Sequence, residues 1–208
     1  MKPNPLLYSY RRCPYAMRAR LCLVSAQIQC DVIDVDFKNK PAHMLSISPK
    51  GTVPVLQTPT GEVIDESRAI IIWALSQHNP ENWFDCDKHL ADSLIDQNDG
   101  AFKAALDRYK YPNRFPDEDC FNARERGLEF LSILNDHLST QAQLMGDKVT
   151  VVDICIFPFI RQFANVDISW FESLDLKPLQ AWLNGHLNSA RFKFIMKKQT
   201  QNPSLLLP

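Results

Sequence analysis

The chain changes character once, and that change most narrows what it can fold into. Up to about residue 78, short strand candidates alternate with helices; from Asp85 onward every apolar pattern is helical. This predicts an α/β domain followed by an all-α domain. In the first part, Leu6 to Ser9 reads as a strand, and residues 15–26 carry Met17, Leu21 and Val24 at helical spacing. Residues 30–37 read as a second strand. The runs 53–58 and 62–65 flank Pro59-Thr60-Gly61 and form a hairpin. Ser67 then opens an apolar helix through Leu75, with Ser67 expected as its N-cap. The order is β-α-β, a connector, then β-β-α.

In the second part, Leu90, Leu94 and Ile95 fit one helix continuing toward Tyr109, and Pro112 and Pro116 break the next connection. Residues 121–138 repeat Leu128, Leu131, Ile133 and Leu134 at helical intervals. Thr150-Val151-Val152-Asp153 is a capping box, with Val149 and Ile154 placed as a hydrophobic staple. The helix after it is apolar all round, which marks it as buried. Pro178 stands near the start of another helix, and residues 192–198 make a short last one. The apolar tail 203–208 either docks or stays loose. Asn79-Pro80-Glu81-Asn82 is linker-like, which places the domains at 1–79 and 86–208.

Bulk properties exclude several classes. The net charge is −1, so no overall field draws the chain to nucleic acid or to an anionic membrane. No apolar run approaches the roughly 20 residues a membrane span needs, and the start Met1-Lys2-Pro3-Asn4-Pro5 lacks a secretory pattern. The six cysteines contain no close pair, which points to free thiols and a reducing, cytoplasmic setting. The five histidines show no ligand spacing with them, so no metal site is expected.

The chemistry concentrates at Cys13-Pro14-Tyr15-Ala16, between the first strand and the first helix. A cysteine there meets unpaired backbone N–H groups and the positive end of the helix dipole, and both favour the thiolate. Arg11, Arg12, Arg18 and Arg20 stand nearby. Pro14 suits the first helical turn. Dithiol motifs carry a second cysteine where this chain has Ala16. Cys22, Cys30, Cys86, Cys120 and Cys155 lack this context and read as small apolar residues.

Three further segments suit a ligand. In Gly51-Thr52-Val53-Pro54, a cis Val53–Pro54 bond would leave the Val53 backbone free to pair with an extended peptide. Glu66-Ser67 joins a carboxylate to a helix N-terminus, a pair able to hold an ammonium and a carboxylate together. Lys38 and Lys40 offer charge for a second carboxylate. These features together suit a small thiol peptide with a zwitterionic end and a carboxylate end, the form of glutathione.

With these motifs in this order, and with Lys38-Asn39-Lys40-Pro41, residues 48–56, Asp65-Glu66-Ser67 and residues 150–154, the sequence resembles the cysteine-type members of the glutathione transferase superfamily. The resemblance covers nearly the whole chain. It implies a thioredoxin-like domain, then an all-helical one, assembled as a homodimer. It implies that Cys13 forms a mixed disulfide with glutathione, a co-substrate rather than a tightly bound cofactor. Lys40 would face the glycyl carboxylate. Val53, presented by cis-Pro54, would pair with the cysteinyl unit, and Glu66 and Ser67 would hold the γ-glutamyl end. The second substrate, small and oxidised or electrophilic, would bind between the domains, near Tyr15, Arg108 and Tyr109. Tyr8, Ser9 and Tyr10 are a subordinate alternative to the thiol as activators. Two other readings stand beside thiol transfer: conjugation of glutathione to electrophiles, and a non-catalytic interaction module of the same fold.

Overall fold

A computed structural model describes residues 3–197. The tail 203–208 lies outside the described residues, as does the end of the run 192–198. By their contacts the described residues fall into two compact units, 3–81 together with 189–197, and 82–188.

The first unit is a four-stranded sheet with helices. Its elements are β1 (Leu6–Ser9), α1 (Pro14–Ser25), β2 (Asp31–Asp34), α2 (Ala42–Ile47), β3 (Val55–Gln57), β4 (Val63–Ile64) and α3 (Ser67–Gln77). The strand order is β2-β1-β3-β4. β2 runs parallel to β1, with Leu6 opposite Asp31 and Ser9 opposite Asp34, whereas β3 is antiparallel to both β1 and β4. This is the thioredoxin-like arrangement expected. β2 is shorter than the run 30–37 because β1, its only strand partner among the described residues, ends at Ser9; one more bond, from Val35 N–H to the Ser9 carbonyl at 2.7 Å, closes the pair. The connector after β2 contains α2, a short helix without enough periodicity to read from sequence. Gly61 takes a φ of +88° in the hairpin turn, a region open to glycine.

α1 is buried almost all round, including Arg18 and Arg20, and packs against α3. Tyr8, Ala16, Val35, Met44, Val53 and Val55 form a buried cluster, with Cys13 at its partly open margin. The short helix Ala190–Ile195 also packs on α1 in this unit. Sequence reading grouped that segment with the helical domain; Arg20 explains the difference. Its guanidinium donates to the Ile195 carbonyl at 2.9 Å and to the Arg11 carbonyl at 2.7 Å.

The second unit is helical: α4 (Lys88–Gln97), α5 (Lys103–Lys110), α6 (Cys120–Leu138), α7 (Val151–Ala164), α8 (Ile168–Ser173) and α9 (Lys177–Asn188). Ala190–Ile195 is therefore α10. The long helix expected up to Tyr109 is interrupted by a π-turn over Asn98–Phe102. The capping box of α7 forms as read: the Thr150 N–H reaches Asp153 Oδ2 at 2.8 Å. The same fully buried carboxylate takes the Leu144 N–H and the Trp182 Nε1–H on Oδ1. Around α7, Phe163 lies 5.3 Å from Phe102 and 5.1 Å from Tyr109, ring centre to ring centre.

Candidate active site

Cys13 is the N-cap of α1 and Pro14 is the first helical residue. Its backbone carbonyl accepts the first helical bond, from Met17 N–H at 2.8 Å. The sulfur is half-buried and lies 3.8 Å from the carbonyl oxygen of Val53. All six cysteines are free thiols. Ala16, where a resolving cysteine would stand, is fully buried.

The Val53–Pro54 bond is cis. Among the described residues the Val53 N–H makes no hydrogen bond, and β3 begins only at Val55. A backbone donor without a hydrogen bond among the described residues therefore stands on the residue whose carbonyl meets the thiol, as pairing with an extended ligand needs.

At α3 the structure corrects one expectation. Glu66 holds the N-cap position and Ser67 is the first helical residue. The reason is that the Ser67 hydroxyl is engaged elsewhere: it accepts from Arg18 Nε–H at 3.1 Å and from Arg18 Nη2–H at 2.9 Å. Glu66 is exposed and pairs with Lys50 Nζ at 2.5 Å; the same ammonium lies 3.3 Å from Asp65. Burial opposes the Lys50 charge, but the hydrogen bonds to Glu66 and Asp65 outweigh it and hold the ammonium above its usual pKa. Burial likewise raises Asp65, and the bonds from Ser48 and Lys50 overcome it, leaving the carboxyl below the usual range.

Lys40 leans toward Gly51: a methyl added to that glycine would lie 3.1 Å from Nζ. The Lys40 ammonium makes no ion pair among the described residues and sits 5.7 Å from the centre of the Phe37 ring. Lys38 is exposed. Of the alternative activators, the Tyr8 hydroxyl is bonded to His43 Nδ1 at 2.7 Å, and burial raises its pKa.

The residues expected around a second substrate have different surroundings. Tyr15 follows Pro14 on α1, with the Arg18 guanidinium 5.0 Å from its ring centre. Arg108 is clamped to Glu118 through Nε at 2.7 and 2.8 Å. Tyr109 is buried in the aromatic core of its unit, against Phe163 and Trp170, and burial raises its phenol. It is a core ring rather than the open wall expected, because that face of α5 packs on α7.

Sequence reading set Arg18 and Arg20 near Cys13 but missed their burial and their partners, and it missed the pairing of Lys50 with Glu66. A signal existed for the two arginines, since each interrupts a helix otherwise apolar on every side. Burial lowers the Arg20 pKa to about 10, and Asp34 and Cys13 oppose that shift, so Arg20 feels the charge of a Cys13 thiolate.

A thioredoxin-like unit with a thiol at a helix start, a cis-proline edge beside it and a separate helical unit define a class of thiol-peptide proteins. Comparison with known proteins makes this specific. The family pattern "Glutathione S-transferase, N-terminal domain" matches residues 7–82, and "Glutathione S-transferase, C-terminal domain" matches residues 92–185. The chain is 27% identical over 183 residues to glutathione S-transferase omega-1 of Sus scrofa, covering 85% of this chain and 74% of that protein. It is 26% identical to the omega-1 protein of Mus musculus, covering 95% and 77%. Among solved structures, a glutathione transferase from Phanerochaete chrysosporium in complex with oxidized glutathione superposes with a TM-score of 0.80 at 18% identity, covering 92% of this chain and 94% of that one. A family member from Pseudomonas fluorescens with two glutathione bound gives 0.79 at 17% identity, covering 96% and 93%. The chain belongs to the glutathione S-transferase superfamily, as an omega-like member.

Proposed function

We propose that the protein is a glutathione-dependent thiol transferase that works through Cys13. The observation that carries this reading is the Cys13 sulfur at the start of α1, 3.8 Å from the carbonyl of Val53, whose N–H makes no hydrogen bond among the described residues. A hydroxyl in that place would stabilise a glutathione thiolate for conjugation; a thiol instead forms a disulfide with it. The Cys13 thiolate attacks one sulfur of a glutathionyl disulfide. That S–S bond breaks, the leaving thiolate takes up a proton, and Cys13 holds glutathione as a mixed disulfide. A second glutathione thiolate attacks the glutathione sulfur of that adduct, frees the Cys13 thiolate and leaves as glutathione disulfide. Ala16 supplies no internal thiol for this second step, so free glutathione is required.

In this reading the Val53 backbone pairs with the cysteinyl unit beside Pro54. Lys40 faces the glycyl carboxylate, and Glu66 and Ser67 take the γ-glutamyl end. Lys50 holds Glu66 in place. A homodimer in a reducing, cytoplasmic setting completes the proposal, and sedimentation tests the dimer. The chemistry is tested by intact mass after incubation with oxidised glutathione. One glutathionyl adduct is expected, absent from Cys13→Ser, together with turnover of hydroxyethyl disulfide. An adduct that survives in Cys13→Ser, or rapid aryl-halide conjugation with no disulfide reduction, overturns it.

A further inference from the structure

The contact between Arg18 and Ser67 says more about ligand choice than about packing. Ser67 is 4% exposed and Arg18 is 1% exposed. A hydroxyl has two acceptor lone pairs and one O–H. Ser67 Oγ accepts from two N–H groups of one planar guanidinium, which converge on the same side of it at 3.1 and 2.9 Å. Arginine has no acceptor to offer in return, so the hydroxyl proton must point away from Arg18. Among the described residues it has no acceptor. The first turn of α3 adds N–H groups with the same polarity, because its first helical bond comes only at Ile70 N–H to the Glu66 carbonyl, 2.9 Å. The guanidinium also places a full positive charge behind this donor set, in a low-dielectric surrounding.

We propose that Arg18 is a positioning residue that makes Ser67 an obligate donor, and so selects ligands with an α-carboxylate at the γ-glutamyl end. This rests on the glutathione reading above. Arg18 acts through Ser67 and not by touching the ligand. It also ties α1, which carries Cys13, to α3, so the nucleophile and the carboxylate site are held by one side chain five residues after the cysteine.

The test compares two probes by calorimetry: glutathione, and 4-aminobutyryl-cysteinyl-glycine, which lacks only that α-carboxylate. Wild type should prefer glutathione by about tenfold or more, the worth of a charge-assisted hydrogen bond. In Arg18→Met the preference should fall to within about threefold, with little change in affinity for the analogue. Ser67→Ala should lose the preference equally, and adding Arg18→Met to it should take nothing further from the preference. Should Arg18→Met fail to fold, Arg18→Gln carries the test: a neutral amide replaces the cation and its carbonyl can accept the Ser67 proton, so a reduced preference is expected. Equal weakening of both probes in either Arg18 variant would mark a merely structural role and overturn the proposal, as would an unchanged preference. A wild type that binds both probes alike would instead overturn the γ-glutamyl assignment beneath it, and this proposal with it.

Discussion

Replacing Asp153 by asparagine tests how far the helical unit depends on one carboxylate. Asp153 is fully buried, and its oxygens take four donors. Oδ1 accepts from Leu144 N–H at 2.9 Å and Trp182 Nε1–H at 3.0 Å; Oδ2 accepts from Thr150 N–H at 2.8 Å and the Thr150 hydroxyl at 3.0 Å. Asparagine keeps the shape but turns one oxygen into an NH2 donor. An NH2 in the Oδ1 place would strand two N–H groups with no way to turn. In the Oδ2 place the Thr150 hydroxyl can rotate and accept, so only the Thr150 N–H is stranded; this is the orientation expected. One charge-assisted bond is lost, worth about 1.5–3 kcal/mol, and a buried donor is left unsatisfied at an overlapping cost of about 1–3 kcal/mol. The bonds that remain on Oδ1 weaken because their acceptor is now neutral. Together these give a loss of about 3–4 kcal/mol. At about 2–4 °C per kcal/mol for a chain of this size, Tm should fall by about 6–16 °C. Urea and thermal unfolding followed by tryptophan fluorescence reads it directly, since Trp182 is one of the partners. A loss below about 1 kcal/mol would refute this account of the carboxylate.

Three other outcomes follow from the same kind of reasoning. In Gly127→Ala the new methyl overlaps Phe163 Cε2 and Cζ, on a fully buried ring. Overpacking of about 1–3 kcal/mol should outweigh a helix-propensity gain of about 1 kcal/mol. Urea unfolding should show a net loss that Phe163→Leu partly restores; a more stable Gly127→Ala protein refutes it. Burial, with Asp31 adding to it, pushes the Cys30 thiol up to about 12. Its contribution to stability is therefore complete below the unfolded thiol's pKa of roughly 8.5 and is lost as pH rises toward the folded value. Cys30 should resist iodoacetamide until the protein unfolds, and Cys30→Ala should lose stability less steeply between pH 9 and 11, that is, across about two units above the unfolded pKa. Equal alkaline slopes would contradict this. Arg20→Met removes the buried cation that feels the Cys13 thiolate and leaves the Arg11 and Ile195 carbonyls without their donor. The pH profile of Cys13 alkylation should move to higher pH and the Tm should drop; an unmoved profile refutes the electrostatic link.

Much of the fold was legible because it is local. Alternation and helical spacing marked β1, the hairpin and most helices, and four residues were enough to mark the capping box at Thr150. Pro14 could be read as a helix start for backbone reasons alone, since the N–H it lacks would be unpaired there anyway, and this placed Cys13 at the N-terminus. The π-turn at Asn98–Phe102 left no periodic trace, and the six-residue α2 was too short to show one.

By itself, then, the sequence determined the two-part architecture, the thiol at a helix N-terminus and the missing second cysteine. The tertiary structure decided which polar groups meet. Arg18 and Ser67 are 49 residues apart, Asp153 and Trp182 are 29 apart, and Arg20 reaches a carbonyl 175 residues away. That last contact assigns α10 to the first unit, and the first moves Ser67 from cap to first helical residue. Residue type states that a buried guanidinium or carboxylate must find partners. Only the packing of distant segments chooses them, and at Ser67 that choice sets which way a single proton points.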